Sequence, residues 1–234
     1  FGVVLVLIDG VPVEVAQFRA DAEYLDGRHP VSVRLADPRE DARRRDFTIN
    51  GMFIDPATGE VLDYVGGQAD LRAGIVRAIG EPRERFAEDH LRMLRAVRFA
   101  ARLGFAIDAA TMRAIRDNAA AVRTVALERV GDEIVRILTE GGARRGFELL
   151  DETGLLDIVL PEIAAMRGVE QSPDYHPEGD VWEHTLRLLA GVDGLAAPRA
   201  EHLALAALLH DVAKGPCAAR DPETGRITFY GHTE

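Results

Sequence analysis

The chain changes its hydrophobic pattern near residue 80, and this change limits the folds that it can adopt. Before that point, short apolar runs alternate with turn signals, which is the pattern of strands and short helices. From Pro82 onward, apolar residues recur at intervals of three and four, as they do on one face of a helix. We therefore predict an α+β fold in which a small region with antiparallel strands precedes an all-helical region.

Turn and cap signals divide the first region further. Two β-rich runs, residues 3–8 and 11–18, flank Asp9-Gly10, which is a strong hairpin signal. Residues 20–34 are polar and weakly periodic, so they predict a loop. Asp37 followed by Pro38 is typical of a helix N-cap and its first helical position.

Composition restricts the partners and the location of the protein. The 234 residues carry a formal net charge of −11, which argues against non-specific adhesion to nucleic acid or an anionic membrane. RNA remains a candidate substrate, because six arginines between residues 83 and 102 could form a local basic face. A single Cys217, no bilayer-length apolar run and no secretory signal predict a cytoplasmic protein without a membrane partner.

Acidic and basic residues recur at helical spacing between residues 88 and 98. Asp89 and Arg92 are three residues apart, so in a continuous helix they share a face. A surface ion pair, worth at most about 1 kcal/mol, is the common outcome of such spacing. Base chemistry gives an alternative: cytosine and adenine both present an amino donor beside an acceptor ring nitrogen, whereas uracil and guanine present the opposite pattern. A carboxylate and a guanidinium can therefore select C and A together.

The sequence RRDFTIN at residues 44–50 places two arginines beside an aspartate and an asparagine. These groups could bind ribose hydroxyls and triphosphate oxygens. Cations near the negative end of a helix are equally common in structural settings, so this segment alone leaves both interpretations open.

Both segments resemble a known family. The sequence EDHLRMLRAVRF at residues 88–99 resembles the E-D-x-x-R-x-x-R-A-x-R-F block of class II tRNA nucleotidyltransferases and poly(A) polymerases, and RRDFTIN resembles their R-R-D-F-T-x-N block. The resemblance implies template-independent addition of CCA, or of the terminal A, to the tRNA 3′ end from CTP and ATP. The nucleotide-binding residues that it implies are Arg44, Arg45, Asp46, Asn50, Asp89, Arg92 and Arg95. The supporting residues that it implies are Glu88, Arg98, Glu128 and Arg129, with Glu133 on the same bracing helix.

The same resemblance implies a domain order. Residues 1–80 would form the C-terminal part of a polymerase β-like nucleotidyltransferase head. Residues 81–165 would form a helical neck and body that binds nucleotide and RNA, and residues 166–234 the start of a helical HD domain. The segment at 21–30 resembles the loop that assists the switch from C to A addition, which disfavours an enzyme that adds only C.

Metal chemistry in this family requires carboxylates that the chain does not contain. The transferase uses two Mg²⁺ ions, and the D-x-D pair that holds them is absent, as is the G-G-x-V-R-D phosphate motif. Glu14 would be a third carboxylate near the metals, although an outward-facing strand glutamate is an equal alternative. We therefore expect an internal piece of a longer protein, inactive in nucleotidyl transfer by itself.

Histidines near the C-terminus predict a second site. His184, the doublet His210-Asp211 and His232 resemble the ligand pattern of HD phosphohydrolases, and imidazole with carboxylate suits a divalent metal. A lone buried histidine is usually structural, so a structural role is the alternative. The sequence leaves three candidate functions. The first is an RNA 3′-end nucleotidyltransferase, either a CCA- or A-adding enzyme or a poly(A) polymerase. The second is a metal-dependent HD phosphohydrolase or cyclic phosphodiesterase that acts on RNA ends, and the third is a non-catalytic RNA-binding piece.

Overall fold

The computed structural model describes residues 3–21, 33–173, 175–193 and 199–232. Its strands are β1 Val3–Ile8, β2 Val11–Ala16, β3 Arg19–Asp21, β4 Val33–Leu35, β5 Met52–Ile54, β6 Val61–Asp63, β7 Ile75–Val76, β8 Ala106–Ile107, β9 Ala219–Arg220 and β10 Ile227–Thr228. Its helices are α1 Pro38–Arg43, α2 Gly67–Ala73, α3 Pro82–Glu88, α4 Leu91–Leu103, α5 Ala109–Asn118, α6 Leu127–Thr139, α7 Ala143–Glu152, α8 Leu156–Val159, α9 Pro161–Ala164, α10 Val181–Val192, α11 Arg199–Leu209 and α12 Lys214–Cys217. Thr48–Asn50 and Ala119–Thr124 form 3₁₀ helices.

The strands of the first region pair locally. β1 and β2 form the predicted antiparallel hairpin, in which Ile8 pairs with Val11 across the two turn residues. Those residues, Asp9 and Gly10, have φ of 50° and 80°, a left-handed turn that matches strand twist. β5 pairs with β6 and β9 with β10, also antiparallel, whereas β7 and β8 form a short parallel pair.

The loop predicted over residues 20–34 is wrong at both of its ends. β3 and β4 pair antiparallel there, with Arg19 opposite Leu35 and Asp21 opposite Val33. Strands of three residues are too short to show a clear alternation, so the sequence pattern could not identify them. Residues 22–32, which hold most of the predicted C-to-A switching loop, lie outside the described residues.

The helix predicted across residue 89 is interrupted. α3 ends at Glu88, and Asp89 has extended backbone, with φ −154° and ψ 106°, before α4 begins at Leu91. Asp89 Oδ1 accepts a hydrogen bond from the Leu91 amide at 3.1 Å, which satisfies one of the unpaired amides at the start of α4. The prediction that Asp89 and Arg92 share one helix face is therefore wrong.

A single cluster of buried apolar side chains extends from Phe47 to Leu208. α4 packs against α6 and α7, α7 packs against α10, and α6 packs against α11. The domain limit predicted at residue 166 lies within this shared core, and the limits 1–80, 81–165 and 166–234 stay predictions. Within the described ranges, no helix is both long enough and apolar enough to cross a bilayer.

Candidate nucleotide-binding cavity and histidine cluster

A cavity of about 560 Å³ lies where α1, the first 3₁₀ helix and α4 meet. It is lined by Arg44, Arg45, Asp46, Asn50, Asp89, Arg92, Arg95 and Phe99. The seven nucleotide-binding residues implied by the two sequence motifs are all present in this lining, and Phe99 is the additional one. Four arginines face two aspartates, so the cavity carries an excess of positive charge in a chain whose net charge is −11.

A buried aspartate on α1 holds both arginines of the RRDFTIN segment. Asp41 Oδ1 accepts from Arg44 Nε and Nη2 at 2.9 and 2.7 Å, and Oδ2 accepts from Arg45 Nε and Nη2, both at 3.1 Å. Burial alone would raise the pKa of Asp41, but hydrogen bonds from Arg44, the Arg19 amide and Arg45 lower it below its usual value. The carboxylate therefore stays ionised between the two guanidinium groups.

Asp46 joins the two sequence motifs in space. Its Oδ1 accepts from the Phe47 amide at 2.9 Å and from Asn50 Nδ2 at 3.1 Å, whereas its Oδ2 accepts from Arg95 Nε at 2.8 Å. These bonds fix residues 46–50 to α4 through Arg95, which lies 49 positions after Asp46 in the sequence. Asp46 is buried, so a charge-assisted bond to Arg95 compensates its loss of hydration.

The two predicted base-selecting residues have different partners. Asp89 forms a bidentate pair with Arg129, whose Nη2 and Nη1 lie 2.7 and 3.3 Å from the two carboxylate oxygens. Arg92 donates to Glu88 Oε2 at 2.5 Å and to the Arg85 carbonyl at 2.9 Å. Asp89 and Arg92 do not pair with each other. Each is held by a partner outside the cavity lining, and both side chains line the cavity.

The supporting residues form a second layer between α4 and α6. Arg98 donates to Glu133 Oε2 at 2.7 Å and to Glu140 Oε2 at 2.8 Å, and Glu133 Oε1 lies 3.7 Å from Arg95 Nη1. Burial would lower the pKa of Arg98, but its two acidic partners raise it above the usual value. Glu128 lies exposed in the first turn of α6, apart from the cavity lining. On α6, Glu133 contacts α4 through Arg98, and Arg129 contacts Asp89 in the break before α4.

Glu14 lies outside the cavity. It occupies β2 opposite Leu5, and both strands of the hairpin are exposed along their whole length. Within the described residues, the carboxylates of the cavity lining are Asp46 and Asp89, and each is already paired with an arginine. The described residues of the cavity therefore do not form a site that fits Mg²⁺.

The predicted C-terminal ligands come together around Asp211. Its Oδ2 lies 2.9 Å from His210 Nε2 and 3.9 Å from His184 Nε2, and its Oδ1 lies 3.9 Å from His232 Nε2. Lys214 Nζ also lies 2.8 Å from Oδ2. Asp211 is buried, and among the described residues neither close neighbour meets Oδ2 with hydrogen-bond geometry. A buried acceptor without a proper donor is the kind of ligand that suits a cation.

The other ring nitrogen of each histidine is held elsewhere. Nδ1 of His184 lies 2.5 Å from Glu178 Oε1, Nδ1 of His210 lies 3.0 Å from the Ala207 carbonyl, and Nδ1 of His232 lies 2.7 Å from the Phe229 carbonyl. An Nδ1–H that donates to oxygen leaves the Nε2 lone pair available, and this arrangement is typical of metal-ligating histidines. Hydrogen bonds from His184 and His176 lower the pKa of Glu178 to about 2.

Sequence reasoning missed three contributors. Asp41 and Phe99 were assigned no role, and Glu178 was not considered. Asp41 has a detectable signal, because it lies in the last turn of α1 and precedes Arg44 and Arg45 by three and four residues. Glu178 precedes α10 in an irregular segment, and its approach to His184 depends on tertiary structure that no spacing rule gives.

Comparisons with known proteins agree with these motifs. Residues 1–77 match the family described as the poly A polymerase head domain, and residues 104–167 match the probable RNA and SrmB-binding site of polymerase A. The multifunctional CCA protein of Neisseria gonorrhoeae is 46% identical over 198 residues, which are 82% of this chain and 45% of that protein.

Two solved structures are similar in fold. The CCA-adding enzyme of Bacillus stearothermophilus in complex with CTP has a TM-score of 0.65 at 32% identity, covering 92% of this chain and 52% of that one. A tRNA nucleotidyltransferase with a primer tRNA and an incoming ATP analog has a TM-score of 0.56 at 27% identity, covering 84% and 58%. The chain thus spans about half the length of the relatives that it matches.

Proposed function

Because the chain belongs to the family of poly A polymerases and CCA-adding enzymes, we propose that it is part of an RNA 3′-end nucleotidyltransferase. Its reaction is the addition of CCA, or of the terminal A, to tRNA from CTP and ATP. In this proposal residues 1–80 belong to the catalytic head, residues 81–165 to the neck and body that bind nucleotide and RNA, and residues 166–234 to an HD domain. A cytoplasmic location suits tRNA as the substrate.

The observation that carries the proposal is the positively charged cavity. A nucleoside triphosphate is an anion with a flat, hydrogen-bonding base, and the cavity offers arginines for the phosphates and an acid for the base. The relatives named above were solved with CTP, or with a primer tRNA and an ATP analog. That chemistry supports CTP, ATP and the tRNA 3′ end as substrates of this protein.

Base selection follows from the partners of Asp89 and Arg92. A carboxylate has about four acceptor positions, and Arg129 and the Leu91 amide occupy only some of those on Asp89. The remaining acceptor receives the amino group of C or A, while Arg92, held by Glu88, donates to the ring nitrogen. Uracil and guanine meet acceptor with acceptor and donor with donor, so they bind more weakly.

Arg44, Arg45 and Arg95 supply the charge for the other end of the nucleotide. Each of the three is anchored by a buried aspartate, so these side chains lose little conformational entropy when a triphosphate binds. Asn50 lies beside them and its amide is fixed by Asp46. In the proposal these residues bind the ribose and phosphates, and they bind CTP and ATP alike.

Divalent metal ions are used for catalysis in this family, but the described carboxylates of the cavity do not fit that role. Asp46 and Asp89 are neutralised by arginines, and Glu14 lies on the exposed hairpin. We therefore assign binding and base selection to these residues, and no step of phosphoryl transfer. Glu14 keeps its proposed role as a metal-proximal carboxylate only in the context of a longer head domain.

The test has a binding arm and a transfer arm. In the binding arm, the chain binds CTP and ATP at least about tenfold more tightly than UTP and GTP, and Asp89→Ala removes this difference while retaining triphosphate affinity. An equal loss for all four nucleotides would refute the assignment of Asp89.

In the transfer arm, the product of the whole gene is incubated with Mg²⁺, CTP, ATP and tRNA ending before the CCA or after its two C residues. Extension of both substrates identifies CCA addition, and extension of the CC-ended tRNA alone identifies A addition. Long A tails on unrelated RNA identify a poly(A) polymerase. The absence of incorporation on every substrate would contradict nucleotidyl transfer and favour the HD phosphohydrolase, and RNA binding without any turnover would favour the non-catalytic role.

The histidine cluster supports a second function, a metal-dependent HD phosphohydrolase on RNA ends. The imidazoles of His184 and His210 and the buried carboxylate of Asp211 could hold a divalent metal, which would supply Lewis acidity or an activated water when bound. His232 Nε2 lies 3.9 Å from the same carboxylate. The discriminating assay is hydrolysis of a 2′,3′-cyclic phosphate without any nucleoside triphosphate. Hydrolysis that is lost in His210→Ala supports this function. A wild-type rate that does not depend on metal and equals the rate of His210→Ala contradicts it.

A further inference from the structure

Asp41 is nearly inaccessible, although it lies immediately behind the cavity. Its side chain is 2% exposed, and it accepts five hydrogen bonds, four from the two cavity arginines and one from the Arg19 amide at 3.2 Å. An isolated buried carboxylate is costly, so this one is stable only because both arginines are present. Asp41 does not line the cavity itself.

The geometry shows why two consecutive arginines need this partner. Arg44 and Arg45 follow the last residue of α1, and adjacent side chains at the end of a helix diverge unless a third group holds them together. Asp41 precedes Arg44 by three residues and Arg45 by four, and each of its oxygens accepts from one guanidinium. The negative charge also reduces the repulsion between the two cations.

Arg45 retains donors for a ligand. Arg45 uses Nε and Nη2 for Asp41 and Nη1 for the Asn50 carbonyl at 3.0 Å, which engages three of its five N–H groups. One aspartate balances only one of the two positive charges, so the clamped pair keeps an excess of positive charge that faces the cavity. A triphosphate would find both guanidinium groups in place.

We infer that Asp41 is a positioning residue that clamps Arg44 and Arg45 into one rigid phosphate-binding unit. This inference rests on the proposed nucleotide site, and it concerns affinity for the triphosphate and not the choice of base. Replacing the carboxylate by an amide disrupts the clamp, because an amide has one acceptor oxygen and its NH₂ would face the N–H groups of the other arginine.

The test is a set of binding titrations with CTP and ATP in the presence of Mg²⁺. Asp41→Asn is expected to raise the Kd for both nucleotides by about tenfold, since one arginine is released. Asp70→Asn is the matched control: Asp70 is also buried and paired with an arginine, Arg77, but neither lines the cavity. It is expected to lower the melting temperature and to leave both Kd values within about twofold of the wild type.

A double-mutant cycle separates positioning from a merely structural effect. In an Arg44→Ala background, Asp41→Asn should weaken binding by a clearly smaller factor than in the wild type, because one of its two partners is already missing. An equal factor in both backgrounds, or a loss confined to one base, would overturn the inference. If Asp41→Asn does not fold, Asp41→Glu keeps the charge and displaces it by one methylene. We then expect weaker binding of both nucleotides, and wild-type affinity would refute the clamp.

The wild-type titration distinguishes failure of the proposed nucleotide site from failure of the clamp. Failure of the wild-type chain to bind either nucleotide would refute the nucleotide site and the clamp together. Tight binding by the wild type with no change in Asp41→Asn would refute the clamp alone.

Discussion

The ion pair between Arg98 and Glu133 gives the sharpest prediction about stability. Their side chains are 5% and 4% exposed, and Arg98 Nε lies 2.7 Å from Glu133 Oε2. Removing one partner of such a pair leaves an uncompensated buried charge and typically costs about 3–5 kcal/mol. Arg98 retains Glu140, which is 27% exposed, so we expect Glu133→Gln to cost about 3 kcal/mol, the lower end of that range.

This cost should appear directly in thermal unfolding. For chains of this size, 1 kcal/mol shifts the melting temperature by about 2–4 °C, so Glu133→Gln should melt about 6–12 °C below the wild type. The variant should also bind CTP less tightly by a few fold, because Glu133 lies 3.7 Å from the cavity residue Arg95. Calorimetry at pH 7 and a CTP titration on the same samples measure both effects.

The control is an ion pair of nearly the same N–O distance on the surface. Arg144 Nε lies 2.8 Å from Glu148, but these side chains are 42% and 30% exposed, so Glu148→Gln should cost less than about 1 kcal/mol. The double variant Arg98→Met with Glu133→Leu should recover most of the lost stability, because an apolar pair of similar size leaves no buried charge. A cost below about 1 kcal/mol for Glu133→Gln, or an equal cost for Glu148→Gln, would contradict the reasoning.

Three further predictions concern single contacts. Arg129→Ala frees the Asp89 carboxylate, so the preference for CTP over UTP should fall by about tenfold in competition binding; unchanged selectivity would mean that Arg129 does not orient Asp89. Burial would raise the pKa of Asp63, but four backbone amides at the start of α2 lower it below its usual value. Asp63→Asn should therefore reduce the melting temperature at pH 7 by an amount that shrinks as the pH falls through the aspartate range, and a pH-independent difference would exclude the charge as the cause. His210→Ala should abolish binding of Mn²⁺ in calorimetric titration and leave CTP affinity unchanged; retained Mn²⁺ binding would place the metal elsewhere.

The sequence motifs predicted the composition of the cavity because each motif is contiguous and chemically unusual. The RRDFTIN segment and α4 meet through Asp46 and Arg95, which no spacing rule requires but which the resemblance to a family implies. The cap at Asp37 was also predicted and is confirmed, since its side chain accepts from the Glu40 amide of the following helix. Local chemistry was sufficient for this cap, whereas the contact between the two motifs was implied only by the resemblance.

Long-range partners and the break before α4 were not predictable in the same way. Asp89 pairs with Arg129, 40 positions away, and Arg98 pairs with Glu133, 35 positions away. Each pairing depends on how α6 packs on α4. The interruption at Asp89 has no proline or glycine to signal it, since the aspartate itself caps the amide of Leu91. Helical periodicity therefore predicted correctly that Asp89 and Arg92 lie at the same site, but the two residues do not share a helix face.

The acidic composition of the chain and its positive cavity are compatible because electrostatic effects at a binding site are local. Charges separated by more than about 8 Å in physiological salt are largely screened, so distant surface acids contribute little at the cavity. The acids nearest to the cavity are each paired with an arginine. Asp46 and Asp89 of the lining pair with Arg95 and Arg129. Behind the lining, Asp41 pairs with Arg44 and Arg45, and Glu88 pairs with Arg92. These carboxylates fix the directions of the guanidinium groups and cancel only part of their charge. A net charge of −11 therefore argues against non-specific adhesion to RNA, and it is compatible with the proposed site for one triphosphate.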